Sequence, residues 1–288
     1  MSLGNLQSFF STRLVKGGMV LLIVLLPSFA LAAKTPISGP TTIIQPGSYY
    51  LTKDIAAPQF SQAITIEADH VTIDLDGHVM TSTHYDLISC TNHTDIRITN
   101  GKMVGGGVGI SFQHFGGRIE IDHMTFVGQT GLAIFIYPVN AERHPYGTAI
   151  IEDVFVDSTG IEMEYLEGGL VDRNVLHKAY MRLINCRNNT LSNNDVSGYS
   201  TMGIGLFNSE NNLIHHNNVS GVVSTGGIYL DNTSNNNSLD WNLAAQNGGE
   251  GIHIAGTGNV YSYNRTPGNA FPGIGAAVGN TDGGGNFP

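Results

Sequence analysis

The sequence predicts an all-β fold: a single-stranded right-handed parallel β-helix of about eight or nine coils. Three observations predict it. A Gly-apolar-x-apolar motif recurs along the chain, asparagines recur in step with it, and each repeat reads as two or three short strands of period two. No segment after the first thirty-two residues has a convincing helical period.

The elements follow in chain order. Residues 1–32 read as a signal peptide. Arg13 and Lys16 precede the apolar run Met19 to Leu26, and Ala30-Leu31-Ala32 gives a small-x-small cleavage pattern. The run is short for a bilayer span; a retained N-terminal anchor is the competing reading. Cleavage after Ala32 removes both cations of that segment. The remaining 11 basic and 23 acidic side chains then give a net charge of −12. Such a chain has no electrostatic footprint for nucleic acid. It also repels a polyanion unless a local cation bridges the two. High glycine (37 residues) with 12 % charged residues would suit disorder, but 41 % of residues are hydrophobic and recur regularly, which argues against it.

Residues 33–266 are expected to form the β-helix domain. Residues 38 to 80 read as first strands and an end cap. His70-Val71-Thr72-Ile73-Asp74-Leu75 and Asp95-Ile96-Arg97-Ile98-Thr99-Asn100 read as two successive early coils. The motif itself starts at Gly109, Gly131, Gly160, Tyr180, Gly203, Gly227, Gly251 and Gly273, at intervals of 22, 29, 20, 23, 24, 24 and 22 residues. A second series holds Asn174, Asn194, Asn217, Asn242 and Asn264. Asparagine suits left-handed corners, and stacked asparagines hydrogen-bond along a column. Residues 267–288, rich in Gly, Asn and Pro, are expected as a loose C-terminal cap or tail.

These motifs resemble the pectate-lyase-like superfamily, and within it the NosD-type and carbohydrate-binding sugar-hydrolase β-helix repeat proteins. The resemblance rests on Pro46-Gly47-x-Tyr49-x-Leu51, on Val71-x-Ile73-x-Leu75-x-Gly77-His78, and on the Gly-Ile-x-Leu and Asn-x-x-Asn repeats. It implies the fold strongly and function weakly, since the fold hosts lyases, hydrolases, epimerases and accessory proteins. The adjacent aspartates and Gly-His-Gly of polygalacturonase-like hydrolases are missing. So are an Asp cluster for calcium and the Asp-Pro-His of alginate epimerases.

Aligning the motif places one outward column at Ser111, Ala133, Glu162, Arg182, Gly205, Tyr229 and His253. A second column holds Gln113, Phe135, Glu164, Ile184, Phe207, Asp231 and Ala255. The longest interval carries the insertion Tyr137 to Tyr146, a loop of the kind that carries function. Catalytic candidates are Glu162 and Glu164 for hydrolysis, or Arg182 (or Arg143) as neutraliser, His144 as base and Tyr229 (or Tyr146) as acid for uronate chemistry. Phe135, Tyr137, Arg143, Tyr146, Phe207, Asp231 and His253 are candidate polysaccharide contacts. As a solvated cross-strand pair, Glu162–Arg182 would contribute under about 1 kcal/mol.

No cofactor is expected. His215 and His216, adjacent on a strand, should point to opposite faces and so not share an ion, and no spacing matches a closed zinc site. Cys90 and Cys186 align in one column four coils apart, about 19 Å, so two free inward thiols are expected. Two functions remain open: an exported polysaccharide-binding protein that modifies its ligand as lyase, epimerase or hydrolase, or a non-catalytic accessory β-helix. Oligomeric state is not legible.

Overall fold

The computed structural model describes residues 34–114, 116–137 and 147–288. The predicted signal peptide therefore lies outside the described residues, as do Arg143, His144 and Tyr146. All strand pairs formed by the described residues are parallel, and each strand pairs with its counterpart one coil away. The coil of Tyr180 is representative. Tyr180–Ile184 lies on a first face, Thr190–Ser192 on a second and Asp195–Ser197 on a third.

Alternation along these strands builds the core. On the first face the inward column runs Ile66, Cys90, Phe112, Ile136, Met163, Leu183, Leu206, Leu230, Ile254. Each of these is at most 2 % exposed. Burying such a side chain contributes about 1.5–3 kcal/mol. Because one coil buries nothing alone, that energy appears only when neighbours stack.

Corners are made by left-handed backbone. In the Tyr180 coil, Asn185, Asn188, Asn193 and Gly198 all have φ between +54° and +69°. Between the second and third faces one such residue recurs in nine successive coils: Asp76, Asn100, His123, Asp153, Arg173, Asn193, His216, Trp241 and Tyr263, at φ +50° to +61°. Behind each corner of the later coils sits a buried asparagine. Asn194 shows the pattern. Its Nδ2 donates to Val171 O of the coil before (2.9 Å) and to Asn217 Oδ1 of the coil after (2.9 Å), and its N–H donates to the same Oδ1 (3.0 Å). This ladder runs from Asn174 through Asn194, Asn217, Asn242 and Asn264 to Asn286. A second one runs Asn189, Asn212, Asn237, Asn259, Asn280.

The helix is longer than eight or nine coils. Eleven strands stack on the first face, from Thr41–Ile43 to Ile274–Ala276. The segment read as an end cap contributes full coils, with Thr41 opposite Ile64 and Ile64 opposite Ile88. There Ala63 and Leu87 stand at the corner that glycine marks later, so the motif was silent. Residues 267–288 add the last coil, with Ile274 opposite Ile252 and Thr281 opposite Val260.

The register also corrects two alignments. Ile134, not Leu132, pairs with Ile110, so Ala133 occupies the Gly109 corner and is fully buried, and Phe135 takes the outward place. Cys90 lies in the inward strand column that also holds Leu183. Cys186 instead lies at the corner past Ile184, under Leu166 and above Ser209. The thiols are still free and buried, and burial pushes both up to about 12. Neither is expected to react with iodoacetamide in the native protein, and both should react after unfolding without reductant. A Cys90–Cys186 disulfide in the mass spectrum would contradict this placement.

Candidate functional site

The first face carries the candidate site. Its outward column runs Ser111, Phe135, Glu162, Arg182, Gly205, Tyr229, His253, one residue per coil. Two residues along each strand, Glu164 stands opposite Ile184, and Ile184 opposite Phe207. Glu162, Glu164, Arg182, Phe135, Tyr137, Phe207, Tyr229 and His253 are therefore brought to one face. The aromatics are half-buried rather than fully exposed.

Glu162 is 8 % exposed and paired with the Arg182 guanidinium. The carboxylate is buried while the Arg182 side chain remains 35 % exposed, so the pair is only half desolvated, and it is the loss of Arg182 that would strand a buried charge. Arg182 is further held between rings, its Cζ 5.7 Å from the Tyr180 centroid and 5.9 Å from that of Phe207. Its Nε has no hydrogen-bond partner among the described residues. Glu164 differs from its neighbour. Burial pushes its carboxyl above the usual range; the nearby Glu162 charge adds to this and Arg182 opposes it. Two carboxyls on one strand, roughly 6.6 Å apart at the backbone, thus sit in contrasting environments.

Aromatic contacts extend the stripe to both sides. Phe135 and Tyr137 stack at 5.9 Å, Phe207 meets Tyr229 at 5.7 Å, and Tyr229 stacks on His253 at 5.1 Å. His253 Nδ1 lies 2.5 Å from Glu250 Oε2. Glu250 fills the space that a Cβ at Gly275 would need. Asp231, expected as a ligand contact, is occupied by a turn. Its carboxylate accepts from the Asn208 N–H (3.2 Å), both donors of Thr233 (3.1 and 2.7 Å) and the Ser234 hydroxyl (2.7 Å).

Sequence reasoning missed Tyr180 and Glu250. The signal for Tyr180 was Gly160, one coil earlier. A Cβ at Gly160 would lie 2.5 Å from the Tyr180 ring, so the glycine makes room for it. A void of about 430 Å³ at the N-terminal end, lined by Pro36, Ile37, Ile43 and Tyr49 among others, lies away from these columns and holds no carboxylate or imidazole. Among the described residues, no three His, Cys, Asp or Glu side chains converge to hold a metal ion.

No curated protein sequence matches the chain. Solved structures do. A double mutant of the periplasmic alginate epimerase AlgG superposes with a TM-score of 0.57 at 14 % identity, over 86 % of this chain and 75 % of that one. The GH136 lacto-N-biosidase from Eubacterium ramulus superposes with a TM-score of 0.52 at 13 % identity, over 76 % of this chain and 50 % of that one. The chain thus spans about half of the latter. At such identities the likeness is one of fold. The family model described as "Right handed beta helix region" matches residues 108–267. With its stacked parallel coils, its left-handed corners and this match over more than half its length, the chain belongs to the right-handed β-helix family.

Proposed function

We propose that the first face binds an uncharged polysaccharide and hydrolyses it, with Glu164 as general acid and Glu162 as the ionised partner. The observation that carries this reading is the contrast between the two carboxyls: Glu162 is ion-paired with Arg182, and burial favours the protonated form of Glu164. A carboxyl whose protonated form is favoured, beside one engaged by a guanidinium, gives the division of roles that glycoside hydrolysis needs. Uronate chemistry fits less well. It needs a free cation to neutralise the substrate, and among the described residues of this face Arg182 is already paired. Among the described residues this face carries Glu162, Glu164, Asp231 and Glu250 against Arg182 and His253, an acidic balance that disfavours a polyanion.

The half-buried rings give such a ligand apolar surface, with Phe135 and Tyr137 before the carboxyls and Phe207 and Tyr229 after them. In affinity electrophoresis through neutral polysaccharide, Phe207→Ala and Tyr229→Ala should each weaken retention by about 2–10-fold, the scale of one lost aromatic contact. Unchanged retention with an unchanged unfolding midpoint would remove the rings from the binding face. Retention without any cleavage favours the accessory reading.

The same reading places the protein outside the cytoplasm. Arg13, Lys16, the apolar run and Ala30-Leu31-Ala32 support export. The periplasmic location of the structurally similar AlgG epimerase is in keeping with it. N-terminal sequencing of the mature protein should begin at Ala33; a chain that keeps Met1 contradicts export by cleavage.

A further inference from the structure

We infer that His215 and His216 form a two-imidazole site for a divalent transition-metal ion, at the corner between the second and third faces. Strand alternation should have sent these neighbours to opposite sides. The corner prevents it. His215 is outward in the strand Leu213–His215, opposite Ser192 and Asp240 in the adjoining coils. His216 is the left-handed corner residue, at φ +57°. That turn swings the second imidazole back beside the first, and the two Nδ1 atoms lie 2.9 Å apart.

The surroundings suit an ion. The pair borders an open groove of about 370 Å³ that also exposes Asp240 of the next coil. Asp240 is held in place by the hydroxyls of Ser238 (2.7 Å) and Ser262. The aromatic residues beside it do not make the groove a sugar platform. Trp241 stacks on His216 at 6.2 Å and on Tyr263 at 4.5 Å, both within 10° of parallel, so the rings cover one another's faces. The stack instead fixes the His216 ring from one side.

Geometry narrows the class of ion. With metal–nitrogen bonds of about 2.0–2.1 Å, a 2.9 Å separation corresponds to a bite near 90°. That angle is cis in square-planar or octahedral coordination and too small for an undistorted tetrahedron. Imidazole nitrogens in such arrangements suit Cu(II) or Ni(II) over Zn(II). Water would complete the shell. Two side chains rather than a closed cage imply modest affinity and an open coordination position.

Trp241 reports on this site, because it is the chain's single tryptophan and touches His216. Titrating the mature protein with Cu(II) chloride should quench its fluorescence saturably at one ion per chain. His215→Asn and His216→Asn should each weaken binding at least tenfold. Asparagine already holds this corner one coil earlier, at Asn193, so His216→Asn keeps the fold. The electron paramagnetic resonance spectrum of the one-to-one complex should show two nitrogen ligands. Three results would overturn the site: absence of saturable quenching, equal quenching in both variants, or a spectrum without nitrogen coupling. Quenching by acid alone, with no response to the metal, reduces the pair to a shared proton and overturns it equally.

Discussion

Asn217→Ala is expected to cost about 2–5 kcal/mol of folding stability. Asn217 is 2 % exposed, and its side chain serves two neighbouring coils at once. Its Oδ1 accepts the Asn194 N–H (3.0 Å) and Asn194 Nδ2 (2.9 Å). Its Nδ2 donates to Leu191 O (2.9 Å), His215 O (3.1 Å) and Asn242 Oδ1 (3.0 Å). Truncation leaves the Asn194 N–H buried without an acceptor and Leu191 O without this donor. A buried polar group stranded in this way costs about 1–3 kcal/mol, and a small cavity adds to it. The neighbour Asn218 is the control. Its side-chain bond to Asp195 Oδ1 (3.1 Å) is near the surface, so Asn218→Ala should stay within about 0.5 kcal/mol. Urea unfolding followed by circular dichroism separates the two. A shift below about 1 kcal/mol for Asn217→Ala would mean that the ladder is ornament on a fold held by its apolar columns alone.

Glu164→Gln is expected to lower kcat for polysaccharide cleavage by about 10²–10⁴-fold, the contribution of a positioned general acid. The amide keeps the shape and removes the proton. The pH dependence carries the sign. Glu164 is raised above its ordinary value chiefly by burial, so it is protonated below that raised value and loses its proton as pH rises through it. Wild-type activity should therefore fall on the alkaline side of that value, and the residual activity of Glu164→Gln should lack this limb. Glu162→Gln should be as damaging but for a different reason. It removes the carboxylate partner of Arg182, a part-exposed cation, which also costs some stability. The unfolding midpoint therefore separates the two variants: nearly unchanged for Glu164→Gln, lowered for Glu162→Gln. A Glu164→Gln enzyme with wild-type kcat would exclude the acid role.

Much of this architecture was legible because the coil imposes its period on the residues. Gly160, Gly203, Gly227 and Gly251 mark a corner where neighbouring backbone or side chains leave no room for a Cβ, and the Glu162–Arg182 pairing followed from counting along the strands. The same signal misled at Gly131, which imitates the motif two residues too early. It was silent in the early coils, where Ala63 and Leu87 hold the corner. Arg173, Trp241 and Tyr263 were not readable as corners at all. Left-handed backbone is a weak local preference for Asn and Asp, and here stacking and ion pairs override it: Trp241 lies on Tyr263, and Arg173 on Asp153 (2.9 Å). The convergence of His215 with His216 follows from that same corner and was hidden for the same reason. The burial that raises Glu164 depends on neighbours one coil away, which residue spacing along one strand does not report.

The account rests on a hydrolytic first face, and product analysis tests this most directly. Wild-type protein is incubated with a panel of neutral and uronate polysaccharides, and both new reducing ends and unsaturated-uronate absorbance are followed. The account predicts reducing ends from at least one neutral polysaccharide, without unsaturated uronate, and their loss in Glu164→Gln. Unsaturated products from a uronate polymer, or reducing ends that persist unchanged in Glu164→Gln, would contradict it.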